Sequence, residues 1–511
     1  MNREGVFPSL FFFGLTMWVY FLRTIRAIRE NFMPRPPLPQ AHTKLVCTIG
    51  PASRDLVTLQ RMLRAGMSVA RLNLAHGNAD DHRETIARLR EASRQTGYRL
   101  AILADLPGPK MRVGRLESSP ITLIRDQRVH LVEGEASGPQ DIPYDFPGLA
   151  DAVSPGEIIY LNDGFIQLKV LSIKDRQIAC RVQVGGTLLS HNGMNVPGID
   201  LGKSAFTPRD EELLQMALEA GVDAVSVSFV QRGEDLRQVR QKAHALGYDP
   251  FLIAKIERAM AVREIDDILA ATDGIMVARG DLGVETPIES IAVTQKALIR
   301  RAKQFGRPVI TATQMLESMV ENRRPTRAEA TDVANAILDG TDCVMLSEES
   351  AIGQFPVEAV RMLTRIALAT EKARPPIDPL WLKIGKRQTA RVEELIAPDL
   401  ADLVHKIRPP VVIAPTDSGA TARRLACFKF PCRVIAFSSS QKTCQDLCFS
   451  YGVVPVQIDS TEVVWREAAR SWCSGQGIRR GTVVMTHGPS KAHPQASNFV
   501  EIFNLQAAGE S

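Results

Sequence analysis

Short apolar runs alternate with amphipathic helical stretches along most of this chain, and that alternation limits its fold more than any other feature. KLVCTIG, SVARLNL and RLAILADL come before residue 111; VDAVSVSFV, FLIAKIE, DGIMVARG, PVITATQ and DCVMLSEE come after residue 203. Between them lie stretches such as DLVTLQRMLRAG and IESIAVTQKALIRRAKQFG, whose apolar residues recur at helical spacing. A helix between two strands returns the chain to run in the same direction, so the sheet is parallel. Eight such units predict an α/β fold built on a closed (β/α)8 barrel.

The barrel rhythm occupies residues 41–110 and 204–372. Residues 111–203 read differently: ITLIRD, RVHLVEG, EIIYLNDG, FIQLKVLSI and QIACRVQVGG are strand-like runs set off by Gly, Pro and Asp turns. They predict a small all-β domain inserted after the third barrel strand. From residue 373 to 511, after RPPIDP, runs such as PPVVIAPT, CRVIAFSS and GTVVMTHG predict a smaller α/β domain. GIDLGKS, residues 198–204, imitates a phosphate-binding loop but has only three residues between its glycines and no strand leading in. Lys203 is therefore expected to belong to a hinge of the insert.

Residues 1–40 form a separate leader. Residues 6–22 are uncharged and apolar, the lower limit for a spanning helix, and Arg23, Arg26 and Arg29 follow. Either the leader tethers the chain to a membrane with the C-terminal bulk facing the cytoplasm, or translation starts at Met33 and no membrane is involved; the second is the expectation. Lys and Arg number 62 against 57 Asp and Glu, a net charge of +5 over 511 residues. With no basic tail or aromatic-basic stripe, a nucleic-acid partner is not expected. The eight cysteines show no C-x-x-C spacing, which points away from zinc and disulfides and fits a reducing cytoplasm.

A (β/α)8 barrel takes its chemistry from the C-terminal ends of its strands. Polar residues collected there are Arg71 and Asn73, Asp105, Lys255 and Glu257, Arg279 and Asp281, Thr313 and Gln314, and Ser347, Glu348 and Glu349. Lys255 and Glu257, two apart on a strand, point the same way. Glu257 and Asp281 supply hard oxygens from adjacent strand ends, which suits Mg2+ completed by water and a substrate phosphate. The structural alternative is an ion-pair network with Lys255 and Arg279. Lys255 offers a compact ammonium to a moving phosphoryl group. ARGDLG puts Gly280 and Asp281 where a helix begins and backbone N–H groups are free for a small anion. Arg71 and Arg112 carry forked guanidiniums suited to phosphate. In the last domain, Thr416, Ser418, Gly419 and Thr421 make either a phosphate cradle or a plain helix cap.

CTIGPAS, RLNLAHG, DLPGPKMR, FLIAKIE, GIMVARGDLG, TATQMLESM and PTRAEATDVANAILDGTDCVMLSEE, in this order, resemble the pyruvate kinase family over about residues 43–505. The resemblance implies a barrel domain, an inserted β-barrel lid and a C-terminal regulatory and oligomerisation domain, usually in a homotetramer. It implies transfer of phosphate from phosphoenolpyruvate to ADP, giving pyruvate and ATP, with Mg2+ or in its place Mn2+. Lys255 would be the transition-state lysine, and Glu257 and Asp281 the metal ligands. Gly280 and Asp281 would present backbone N–H groups to the substrate carboxylate. Arg71 and Arg112 would contact phosphate, with Arg112 also on the nucleotide side beside Asn73 and His76. Thr313 would flank the enolpyruvate carbon, Ser347 would serve a proton relay through water, and Asp163 would close with the lid.

Three departures from the family pattern carry expectations. Members that bind K+ use an asparagine, a serine, an aspartate and a carbonyl. Asn73, Asp105 and the Leu106 carbonyl remain here, but Ala75 replaces the serine and Lys110 stands where those members carry glutamate. An ammonium in that place substitutes for the cation, so activity without K+ is expected. Glu348 replaces a glycine beside Ser347, where it either perturbs the relay or faces solvent. TDSGATA lacks the features of loops tuned to fructose 1,6-bisphosphate, so a monophosphate sugar effector, or none, is expected. The competing readings are a Mg2+-dependent lyase acting on phosphoenolpyruvate and a non-catalytic metabolite sensor.

Overall fold

The protein is described by a computed structural model over residues 38–136, 138–162, 164–198, 204–375, 377, 392–458, 464–488 and 499–505. The leader segment 6–22, Asp163 and Lys203 lie outside the described residues. Among the described residues no helix is long and apolar enough to cross a membrane.

Eight parallel strands close into a barrel: β1 (Lys44–Thr48), β2 (Met67–Asn73), β3 (Ala101–Leu106), β4 (Ala224–Val227), β5 (Phe251–Ile256), β6 (Gly274–Ala278), β7 (Val309–Ala312) and β8 (Cys343–Leu346). Each pairs with its neighbours in chain order, and β1 closes on β8 through Lys44 opposite Cys343. Small and medium apolar side chains fill the interior: Val46, Val69, Ala101, Leu103, Ile253, Met276, Ile310 and Met345 are all buried. The alternate residues of the same strands face the helices. Ile256 belongs to this outer layer, which leaves Lys255 to the interior.

Helix ends are set by local chemistry. Thr207 and Asp210 form a reciprocal capping box at helix Pro208–Glu219, with proline in its first turn. The same Asp210 accepts the Gly108 N–H at 3.0 Å, which ties the loop after β3 to that helix.

Between β3 and β4 the chain forms a six-stranded mixed sheet and a two-stranded ribbon with an apolar core of their own, including Leu131, Ile159, Leu168 and Val182. After the barrel comes a five-stranded sheet with the order β11-β10-β9-β12-β13: β9 (Val411–Ile413), β10 (Arg433–Ser438), β11 (Val453–Gln457), β12 (Thr482–His487) and β13 (Phe499–Asn504). Only β13 runs antiparallel to its neighbour.

This last domain plugs the N-terminal mouth of the barrel. Phe449 stacks on Phe251 with ring centroids 5.1 Å apart and planes within 5°, and its carbonyl accepts from Cys343 Sγ. Around the plug, Lys429 Nζ meets Asp342 Oδ1 at 2.5 Å with both side chains buried. The Tyr451 N–H donates to the same oxygen at 3.1 Å, and Lys44 Nζ donates to the Val453 carbonyl at 2.7 Å. All eight cysteines are free, and seven are buried.

Candidate active site

At the C-terminal mouth of the barrel a cavity of about 170 Å³ is lined by Arg71, Asn73, His76, Asp105, Lys110, Arg112, Lys255, Glu257, Asp281, Thr313 and Ser347 among others. Lys255 is its electrostatic centre. Its ammonium lies 2.8 Å from Glu257 Oε1 and 3.5 Å from Asp105 Oδ2, and donates to Ser228 Oγ at 2.8 Å. Burial alone would drive Lys255 down, but Asp105 and Glu257 outweigh it and hold the ammonium above its ordinary value. It is a fixed positive charge.

Asp105 anchors two cations. Besides Lys255 it accepts from Arg71 Nε at 3.0 Å and from the Arg71 Nη2 group, and Ser226 Oγ donates to its other oxygen at 2.5 Å. Burial opposes its charge, yet Arg71, Lys255 and Ser226 together lower its value. Arg71 Nη1 also donates to Thr48 Oγ1, so the guanidinium is locked along one edge.

Glu257 is 1% exposed and accepts the Phe229 N–H at 2.6 Å as well as Lys255. Phe229 has φ +55°, in the left-handed region unusual for a bulky residue. Burial first, then the nearby Asp281 carboxylate, raises Glu257 despite Lys255. Asp281 has Lys110 Nζ at 3.8 Å and is about a quarter exposed into the cavity. Two neighbouring carboxylates, one destabilised by the other and one with open lone pairs, fit a hard divalent cation. Among the described residues no group of three or more His, Cys, Asp or Glu side chains gathers as a metal cage. Remaining ligand positions would fall to water and substrate.

The loops after β6 and β7 lock together. Thr313 and Gln314 have φ +67° and +52°. The Gly280 N–H donates to Thr313 Oγ1 at 2.8 Å, and Arg279 Nη2 donates to the Thr313 carbonyl at 2.7 Å. Backbone strain of this kind persists only where neighbours over-determine it.

Several rim residues take parts other than those expected. Arg279 does not pair with the site carboxylates; it pairs with Asp332 at 2.7 Å and braces the β7 loop. Glu349, 2% exposed, accepts the N–H groups of Leu316 and Ser347 at 2.9 and 2.7 Å, so it clamps two loops and is unavailable to a ligand. Glu348 is exposed and outside the cavity lining, which selects the solvent-facing alternative. The Leu106 carbonyl accepts from Ser228 Oγ at 2.6 Å. Asn73 Oδ1 accepts the Ala75 N–H at 3.2 Å, and Arg112 reaches the His191 carbonyl at 3.1 Å. Gly280 does not line the cavity, and its N–H is engaged by Thr313 Oγ1. Thr416, Ser418, Gly419 and Thr421 belong to the C-terminal domain and form no part of this cavity. There the Gly419 N–H donates to Thr416 Oγ1 at 2.9 Å.

Ser226 and Ser228 escaped the sequence reading. SVSF, running from β4 into the turn after it, shows two serines at strand period, both turned inward, and that spacing was the available signal.

A family model described as pyruvate kinase, barrel domain, matches residues 40–360, and one described as pyruvate kinase, alpha/beta domain, matches residues 394–503. The chain belongs to the pyruvate kinase family. The pyruvate kinase of Thermococcus litoralis is 44% identical over 476 residues, covering 92% of this chain and 99% of that protein. That of Geobacillus stearothermophilus is 39% identical over 470 residues, covering 90% and 80%. The crystal structure of a pyruvate kinase from Cryptosporidium parvum superimposes with a TM-score of 0.85 at 33% identity, over 91% of this chain and 97% of that one. Membership of the pyruvate kinase family implies a divalent-metal requirement and leaves the lyase and sensor readings without support.

Proposed function

We propose that this chain transfers the phosphoryl group of phosphoenolpyruvate to ADP, giving pyruvate and ATP. The observation that carries the reading is the convergence of Lys255, Glu257 and Asp281 on one small cavity, with Arg71 beside them. Mg2+, or Mn2+ in its place, held by Glu257 and Asp281, would neutralise phosphoryl charge and orient both substrates.

The protein's own groups supply the rest. Lys255 faces the migrating PO3 unit with a charge that does not titrate away, and Arg71, braced by Asp105, presents its fork to phosphate oxygens. A substrate carboxylate entering beside Asp281 would take the Gly280 N–H from Thr313, freeing the Thr313 hydroxyl towards the enolpyruvate carbon. As the P–O bond to the enol oxygen breaks, the phosphoryl group joins the ADP oxygen. The enolate carbon then takes a proton through water held near Thr313 and Ser347. Asn73, His76 and Arg112 line the nucleotide side. The domain formed by residues 111–203, with Asp163, acts as a lid that excludes water and limits hydrolysis of the donor.

Lys110 beside Asp281 takes the place of a monovalent cation, so Asn73, Asp105 and Leu106 need not hold K+. In the C-terminal domain, Arg423 Nη1 is buried without a hydrogen-bond partner beside Gly419, which suits a sugar monophosphate at Thr416, Ser418, Gly419 and Thr421. We assign the protein to the cytoplasm and as a homotetramer.

A coupled assay for pyruvate formed from phosphoenolpyruvate, ADP and Mg2+ tests the reading. Lys255→Met is expected to lower turnover roughly 100-fold or more while phosphoenolpyruvate still binds. Normal turnover in that variant would overturn the assignment.

A further inference from the structure

Ser226 is fully buried and does not line the catalytic cavity, yet it touches the carboxylate on which two of the cavity's cations converge. It stands opposite Asp105 of β3 in the parallel pairing of β4. Along β4, Ala224 belongs to the apolar filling of the barrel, and Ser226 is the next inward position towards the mouth. Ser228, two residues further on, meets Lys255. The Ser226 hydroxyl therefore sits where the apolar interior gives way to the charged rim. Asp105 is buried there too, so its oxygens must find partners in the protein.

The two oxygens of Asp105 are engaged differently. Oδ2 accepts from Arg71 Nε at 3.0 Å and from Arg71 Nη2, and lies 3.5 Å from the Lys255 ammonium. Oδ1 accepts from Ser226 Oγ at 2.5 Å, and among the described residues no other donor reaches it. The terminal torsion of an aspartate is broad, so the carboxylate turns unless both oxygens are held. Turning it would carry Oδ2 away from the two cations. Arg71 has one further anchor, from Nη1 to Thr48 Oγ1 at 2.9 Å, and Thr48 Oγ1 donates in turn to the Leu346 carbonyl at 2.9 Å. Thr48 thus fixes one corner of the guanidinium and Asp105 the opposite edge. Lys255 also has Glu257 and Ser228, but Asp105 is the contact that both cations share.

We propose that Ser226 is a positioning residue for phosphoryl transfer: its hydroxyl pins Asp105 in one orientation and, through Asp105, sets where the Arg71 fork and the Lys255 ammonium meet the migrating group. The proposal rests on the transfer activity assigned above. Such chemistry is sensitive to placement, and an error of about 1 Å can cost ~100-fold in rate. Alanine at this position fits the strand but leaves Oδ1 buried without its donor.

Steady-state kinetics in the coupled pyruvate assay test this, with melting temperatures measured alongside. The unaltered chain is assayed first; no pyruvate from phosphoenolpyruvate, ADP and Mg2+ would refute the assigned activity and this inference with it. With an active parent, Ser226→Ala is expected to lower kcat about tenfold and raise the KM for phosphoenolpyruvate about threefold, because Arg71 meets that phosphate before and during transfer. The KM for ADP, which lacks the migrating phosphate, should not change. KM values do not depend on the fraction of chains folded, so this split separates positioning from loss of folded protein. Ser226→Cys fills the space but donates weakly, and should resemble Ser226→Ala. Asp105→Asn should be impaired by itself, and adding Ser226→Ala should cost about twofold or less beyond it, since the route through the carboxylate is already broken. Ser226→Ala with kcat and both KM values unchanged would overturn the proposal. So would a fall in kcat with both KM values unchanged, Ser226→Cys as active as the parent, or full additivity with Asp105→Asn.

Discussion

Ser228 stands between the Lys255 ammonium and the Leu106 carbonyl, accepting from the one at 2.8 Å and donating to the other at 2.6 Å. It gives the ammonium a third fixed contact beside two carboxylates and so limits where that charge can sit. Removing the hydroxyl leaves a buried donor short of a partner, which costs about 1–3 kcal/mol. Ser228→Ala is expected to lower kcat about tenfold with little change in KM, and Ser228→Thr to restore most of it; steady-state kinetics decide. Lys110 calls for a different measurement. With an ammonium 3.8 Å from Asp281, turnover should be alike in K+ and in a bulky inert cation. Lys110→Glu should lose activity in the inert cation and regain part of it in K+. A strong K+ activation of the unaltered protein would defeat the substitution argument.

The loops after β7 and β8 show how single residues hold elements. Glu349 is buried and binds the N–H groups of Leu316 and Ser347. Glu349→Ala would orphan both donors, and the expected loss of stability is about 2–4 kcal/mol, read from urea midpoints. Glu349→Gln, which keeps an acceptor, should lose less. This role was hidden in the sequence, where SEES offers four polar side chains at a strand end and nothing separates a ligand from a clamp. The strands themselves were legible. FLIAKIE fixes which side chains enter the barrel because a strand has period two, and Lys255 and Glu257 indeed converge. The part played by Arg279 was hidden for the same reason as that of Glu349. Its partner, Asp332, is 53 residues away on another helix, and periodicity says nothing about contacts at that range.

At the scale of the whole molecule, the junction of barrel and C-terminal domain is rich in buried cations. Lys303, 5% exposed, is pushed down to about 7 by burial and then by neighbouring Lys429, while Asp342 works against the shift. Its folded value lies below the ordinary 10.5, so the unfolded chain holds the extra proton between these two values. Stability is therefore lowest below about pH 7, where the buried charge must be kept, and rises towards alkaline pH as the folded lysine becomes neutral. Urea melts below and above that value should show a gain of a few kcal/mol on raising the pH. Lys303→Met should be more stable at the lower pH and show a shallower rise. An equal slope in the two proteins would remove Lys303 as the cause.

The stacked pair Phe251 and Phe449 has a consequence for how such a protein can be inherited or rebuilt. A stopper supplied by a segment about two hundred positions downstream means the catalytic unit is born with an open floor, and it is sealed only when the rest of the polypeptide has been made. Shuffling that exchanged either unit for an unrelated one would expose a greasy hole, so the two must travel through evolution, and through any engineering, as one cassette.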